Sequence, residues 1–264
     1  MKELQNIITE VVNSNGRKRP DMDHIIELLK TEEGMFSFLI SETRNYYLGA
    51  EAGHPSAYIF TDRDWAVEMA KEVAAIAPGR NFRIREITPA ERLGFFGDLA
   101  RSGFTAVTIN SGHEALTIPL FAVVKKPEEM EGVIMNPHLV RSLNQFEQAI
   151  SEHTASEDMQ NIAVDLLSTA KLILPCAEND EKNHPLISND KGEKYLVVFT
   201  DPMEMIRFDN KHKFQVKPAT MRELRDLAKA YDGIVINPVG VELICDNEKI
   251  GRIVNFGSGL KVIK

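Results

Sequence analysis

Two asparagines are the residues of this chain best placed to do chemistry. Asn110 ends the apolar run TAVTIN and Asn237 ends GIVIN, short β-branched stretches of the kind that fill a buried strand. Ligand sites of α/β proteins often lie at such strand ends. Asparagine can donate and accept there, as a binding or oxyanion group must. It also tolerates turn geometry and bonds its own backbone, so a turn role and a binding role both fit. After Asn110 the chain reads SGHEALTIPLFAVV, and after Asn237 it reads PVGVELICDNEKIGRIV. Each looks like a turn and a returning strand, with Gly112 and Gly240 supplying backbone freedom. His113 adds a candidate proton carrier, although the second stretch has no matching histidine and a core or surface placement explains it more simply. Asn110, Gly112, His113, Asn237 and Gly240 are therefore the candidate ligand- or partner-binding residues.

Other chemistry finds less support. The closest two of the seven histidines, His138 and His153, stand fifteen positions apart, so no paired-histidine metal motif is present. His113-Glu114 lacks a second histidine one helical turn later. No glycine-rich phosphate cradle and no nucleophile elbow occurs, and Gly257-Ser258-Gly259 reads as a tail turn. The acidic pair Glu128-Glu129 beside Lys125 and Lys126 reads as a solvated loop. The expectation is a chain without catalytic residues, metal or cofactor.

The elements that must position the asparagines recur. AYIFTDRDWAVEMA at 57–70 is followed by ITPAERLGFFGDLARSGFTAVTIN at 87–110. YLVVFTDPMEMIRF at 195–208 is followed by VKPATMRELRDLAKAYDGIVINP at 216–238. Each has a strand running into Phe-Thr-Asp, a helix, a Pro-Ala pair opening a second helix, and the asparagine-ended strand. In Phe60-Thr61-Asp62 and Phe199-Thr200-Asp201, Phe is expected in the core while Thr and Asp start a helix. Thr61 is read as an N-cap, and Thr200 or Asp201 as its counterpart before Pro202. Residues 37–51 and 165–178 read as an apolar helix end followed by a strand. GVIMNP at 132–137 resembles GIVINP at 233–238, so Asn136 competes with Asn110 as the counterpart of Asn237.

A spacing of roughly 130 residues between copies fits two domains of ordinary size. An amphipathic helix is expected over residues 2–13 and a short one before residue 30. The division expected is 1–30, an N-terminal helical segment; 31–150, the first repeat; and 151–264, the second. Residues 138–150 read as a helix closing the first repeat, and the polar stretch 179–193 as a surface loop.

With 43% apolar and 27% charged residues the composition is that of a globular protein. The formal charge of −8 argues against nucleic acid as a partner. Cys176 and Cys245 make no disulfide framework or zinc motif, which suits a reducing compartment. No apolar run approaches a membrane span, and the N-terminus has no signal-peptide pattern. A cytoplasmic location is expected.

The strand-Phe-Thr-Asp-helix segment, the Pro-Ala-opened helix and the run GIVINPVG resemble the SseB N-terminal domain family, best over 195–240 and less closely over 57–112, where Ser111 replaces Pro238. The resemblance implies two tandem α+β domains, each a mixed sheet of about five strands with packed helices. It implies a bacterial protein-interaction or regulatory module whose partner is another protein or a second copy. It carries no catalytic residues with it. The competing expectation is a binder of, or enzyme for, a small polar metabolite at the strand-end loops.

Overall fold

A computed structural model of the chain describes residues 2–14, 17–51, 53–126 and 133–258. Glu128, Glu129, Gly132 and Gly259 lie outside the described residues. The fold is α+β, in two compact units: Met1–Glu129 with Ser151–His153, and Met130–Ile150 with Thr154–Lys264.

The first unit begins with α1 (Lys2–Asn13) and α2 (Met22–Thr31). Strands β1 (Met35–Ile40), β2 (Gly49–Glu51) and β3 (His54–Ile59) lead to α3 (Arg63–Ile76). Strand β4 (Phe82–Ile87), a 3-10 turn (Pro89–Glu91), α4 (Arg92–Arg101), β5 (Ala106–Ile109) and β6 (Leu116–Pro119) complete it. The main sheet has the order β2-β3-β5-β6. β3 and β5 are parallel, with Ile59 opposite Ile109, and β2 and β6 are antiparallel edges. β1 and β4 form an antiparallel ribbon attached through Phe36 and Phe60, which exchange backbone hydrogen bonds of 2.9 and 2.8 Å.

Period-two alternation sorts the side chains of this sheet between two cores. Ala57, Ile59, Val107 and Ile109 pack with Leu4 and Ile8 of α1, Ile25 and Leu29 of α2, and Phe96 and Leu99 of α4. Phe38 and Phe60 pack with Ala66, Ala70 and Val73 of α3 on the other side. The apolar stripe of α1 is thus buried in its own unit, each large side chain contributing roughly 1.5–3 kcal/mol. Arg92 is fully buried at the start of α4. Its guanidinium donates to the carbonyls of Ile87, Leu29 and Glu32 at 2.7, 2.7 and 2.6 Å, and so ties α2, β4 and α4 together.

The second unit has its own pair of leading helices, α5 (Pro137–Ser151) and α6 (Glu157–Thr169). Then come β7 (Lys171–Ala177), β8 (Leu186–Ser188), β9 (Lys194–Val198), α7 (Pro202–Phe208), β10 (Phe214–Thr220), α8 (Met221–Ala228), β11 (Gly233–Ile236), β12 (Leu243–Asp246) and α9 (Asn247–Ser258). Its sheet order is β8-β9-β11-β12, with a β7-β10 ribbon. β9 and β11 are parallel, Val198 opposite Ile236. Ile173 and Phe199 exchange the bonds that join ribbon to sheet, at 2.8 and 2.9 Å. One core gathers Leu143, Leu167, Leu196, Val198, Leu224, Ile234 and Ile250; the other, beneath α7, gathers Val197, Phe199, Met205 and Val235.

Several sequence expectations are corrected. Residues 35–40 are strand β1, matched by β7 and not by the end of α6. The Pro-Ala pair opens a helix only once. Pro89 begins the 3-10 turn, whereas Pro218 and Ala219 lie in β10, a ribbon edge where proline is tolerated. What the two helix starts share is a capping box, Thr88 with Glu91 and Thr220 with Glu223, which satisfies orphan N–H groups at both. The stretch 179–193 contains the edge strand β8, and of the run after Asn237 expected to be a turn and a returning strand only Leu243–Asp246 is strand, Asn247 opening α9. Helix α5 falls in the second unit.

Candidate functional site at the strand ends

Parallel pairing is what brings the distant motifs together. Because β3 and β5 run the same way, their C-terminal ends finish side by side, and the residues just beyond Ile59 and Ile109 meet. Asn110 is fully buried and left-handed, φ 56°. Its Oδ1 accepts from the Thr61 backbone N–H at 2.9 Å and from the Thr61 hydroxyl at 3.2 Å. Its Nδ2 donates to Gln5 Oε1 of α1, which the Thr61 hydroxyl also reaches at 2.7 Å. Asp62, and not Thr61, is the N-cap of α3, accepting from the Asp64 N–H at 2.7 Å.

The turn after Asn110 closes through His113 N–H to the Asn110 carbonyl, 3.0 Å. Gly112 has φ +87°, the left-handed region where an L side chain is strained. The His113 ring stacks on Trp65 of α3, centroids 4.2 Å apart and planes 20° apart, with Glu68 Oε2 at 3.5 Å from its Nε2. Alongside lies a cleft of about 440 Å³ lined by Lys2, Gln5, Asn6, Thr61, Asp62 and Trp65. Neither Asn110 nor His113 lines it.

The second unit repeats the arrangement in a more closed form. Asn237, φ 52°, is 3% exposed. Its Oδ1 accepts from the Thr200 N–H at 3.0 Å, and its Nδ2 donates to Thr200 Oγ1 at 2.8 Å. Thr200 donates to Asp201 Oδ2 at 2.7 Å, and Asp201 Oδ1 caps α7 through the N–H groups of Met203 and Glu204, at 3.0 and 3.2 Å. Asn136 Nδ2 donates to the Thr200 carbonyl at 2.7 Å and to that of Lys171 at 2.8 Å. Asn136 therefore serves the second unit itself, and Asn110 is the positional equivalent of Asn237. Gly240 is not left-handed; it makes room, since a Cβ there would lie 2.7 Å from Glu204 Oε2. Glu204 Oε1 meets Arg207 Nη1 at 2.7 Å.

Thr200, Asp201 and Glu204 are at most 1% exposed, so this network faces protein and holds α7 rather than solvent. Its geometry is that of a clamp: each asparagine joins two strand ends and fixes the entry to a helix. In the first unit Thr61 is half-buried and Asp62 exposed at the rim of the polar cleft. The recurring motifs contain the threonines and asparagines of both clamps; Gln5 of α1, which joins the first, carries no such signal in the sequence. The signal was the joint recurrence of Thr before the capping Asp and of Asn after the parallel neighbour strand.

Among the described residues no helix is long and apolar enough to cross a membrane. No curated protein matches the chain. A chain from a solved structure, Tic22 from Plasmodium falciparum, aligns at 14% identity with a TM-score of 0.23, covering 76% of this chain and 84% of that one. Residues 146–250 match the family model described as the SseB protein N-terminal domain.

Proposed function

We propose that the protein is a non-catalytic, cytoplasmic bacterial interaction module of the SseB-like type, and that its first unit is a second, diverged copy of the domain matched in the second. The shared strand order and the paired Asn–Thr clamps support the second copy. The reading of an interaction module rests on one observation, the outer face of α7. Met203 and Ile206 are 43% and 42% exposed and stand at i and i+3, on one side of the helix. Beneath them Asp201, Thr200 and Asn237 hold the helix start in one geometry. A rigid mount that presents an adaptable methionine and a branched aliphatic side chain suits a protein partner.

The test is capture of partners from source-cell lysate on the tagged full chain, in parallel with a Met203→Asp/Ile206→Asp double variant. A stoichiometric partner held by the native chain and lost by the variant, with both melting alike, is the expected result. A second copy as partner would appear as a dimer in light scattering that the variant dissociates. No partner at concentrations that retain micromolar binding, or equal retention by the variant, overturns the proposal. A second reading, a small polar metabolite in the Lys2–Gln5–Thr61–Trp65 cleft, is favoured by that cleft's volume and its polar rim. Saturable quenching of Trp65 fluorescence in a metabolite screen would support it.

A further inference from the structure

A second cavity, unrelated to the strand-end clamps, lies wholly in the second unit. It encloses about 320 Å³ between α5, α6, α9 and the edge strand β12. Leu143, Phe146, Ala163, Leu167, Leu243 and Ile253 supply apolar walls. The polar side chains that reach it, Gln160, Lys249 and Arg252, are an amide and two cations, with no carboxylate among them. That is notable in a chain of net charge −8. Lys249 meets Asp246 Oδ2 at 3.6 Å and Arg252 meets Glu248 Oε1 at 2.5 Å. Those two cations are 58% and 76% exposed, and ion pairs so exposed contribute little and exchange readily.

The geometry points to a binding site for a small amphipathic acid: a straight apolar tail in the cavity and a carboxylate at the Lys249–Arg252 rim. Apolar walls with a few convergent polar groups are the usual make-up of a ligand pocket, and the volume is at the lower end of the ordinary range. At roughly 30 Å³ per water-sized group, the space takes a chain of about ten carbons. Lys249 and Arg252 line the mouth while their partners Asp246 and Glu248 do not, so an anionic head meets the cations there in exchange for those exposed pairs. Cys245 lies on the cavity floor, and burial pushes its thiol up to about 12. It is therefore a protonated, weakly polar surface, and the site holds its ligand without reacting with it. This site is independent of the α7 surface, so either idea can fail alone.

Titration calorimetry on the full chain tests it with decanoate, octanoate and decanol as probes. Each buried methylene is worth about fourfold in affinity, so decanoate should bind one to one and roughly fifteenfold tighter than octanoate. A Lys249→Gln/Arg252→Gln variant alters only exposed side chains. It should weaken decanoate roughly three- to tenfold and leave decanol unchanged. Ala163→Leu, which fills the cavity, should remove binding of both while its melting curve shows the fold intact. Absence of saturable decanoate binding up to about 1 mM overturns the inference. So does decanoate binding that neither variant alters, or decanol binding as tightly as decanoate.

Discussion

Replacing Asn237 by alanine should cost the second unit much of its stability, and the structure says why. The side chain makes two hydrogen bonds to fully buried Thr200. Alanine leaves the Thr200 backbone N–H without its acceptor, a loss of about 1–3 kcal/mol. The bond to the hydroxyl adds about 0.5–1.5 kcal/mol. Asn237 is also left-handed at φ 52°, where alanine carries a Cβ penalty of about 1–2 kcal/mol that asparagine tolerates better through local hydrogen bonding. The sum is about 2.5–6.5 kcal/mol, toward the lower end where the turn relaxes. Asn237→Gly removes the hydrogen bonds but not the backbone freedom, so it should be the milder change. Urea unfolding followed by far-UV circular dichroism measures both, as midpoint shift times slope. Trp65, the only tryptophan, lies in the first unit, and its fluorescence reports the matching Asn110→Ala change. A loss within about 0.5 kcal/mol for Asn237→Ala, the range of a neutral surface substitution, would refute the clamp. Loss of a captured partner by a variant that keeps its stability would return Asn237 to a binding role.

Arg92→Met should destabilise the first unit by about 3 kcal/mol or more, because two buried carbonyls and one half-buried one lose charged donors together, read by the Trp65 unfolding transition. Glu91 is held at about 2 by its bonds to the Thr88 hydroxyl and backbone N–H and by Arg85. Its folded value is depressed, so its contribution is present above the ordinary 4.5 and is lost as pH falls through about 2. Unfolding curves between those limits should fall less steeply in Glu91→Gln. Cys176 is buried in β7, and an aromatic disulfide reagent at pH 8 should leave it unmodified until urea unfolds the chain, whereas fast native labelling of Cys176 would show the second unit opening locally.

The sequence by itself determined what depends on neighbours along the chain. The short apolar runs of β3, β5, β9 and β11, the helix starts at the Phe-Thr-Asp motifs and the asparagine turns were all legible in it, because propensity and hydrophobic pattern act within a few residues. The motif resemblance located the segment that the family model matches. Local pattern misled where one residue type suits two elements: Pro218 reads as a helix opener but lies in a ribbon edge, and residues 37–40 read as helix but pair as strand. Only the tertiary structure decided what the asparagines do, since Asn110 meets Thr61 across 49 positions and Asn237 meets Thr200 across 37. Those encounters come from the parallel register of β3 with β5 and of β9 with β11. The register is set by how whole strand faces bury, which no single stretch encodes. The cavity above β12 has the same origin: its walls come from two segments far apart in the sequence, α5 with α6 and β12 with α9, and only packing makes them one surface.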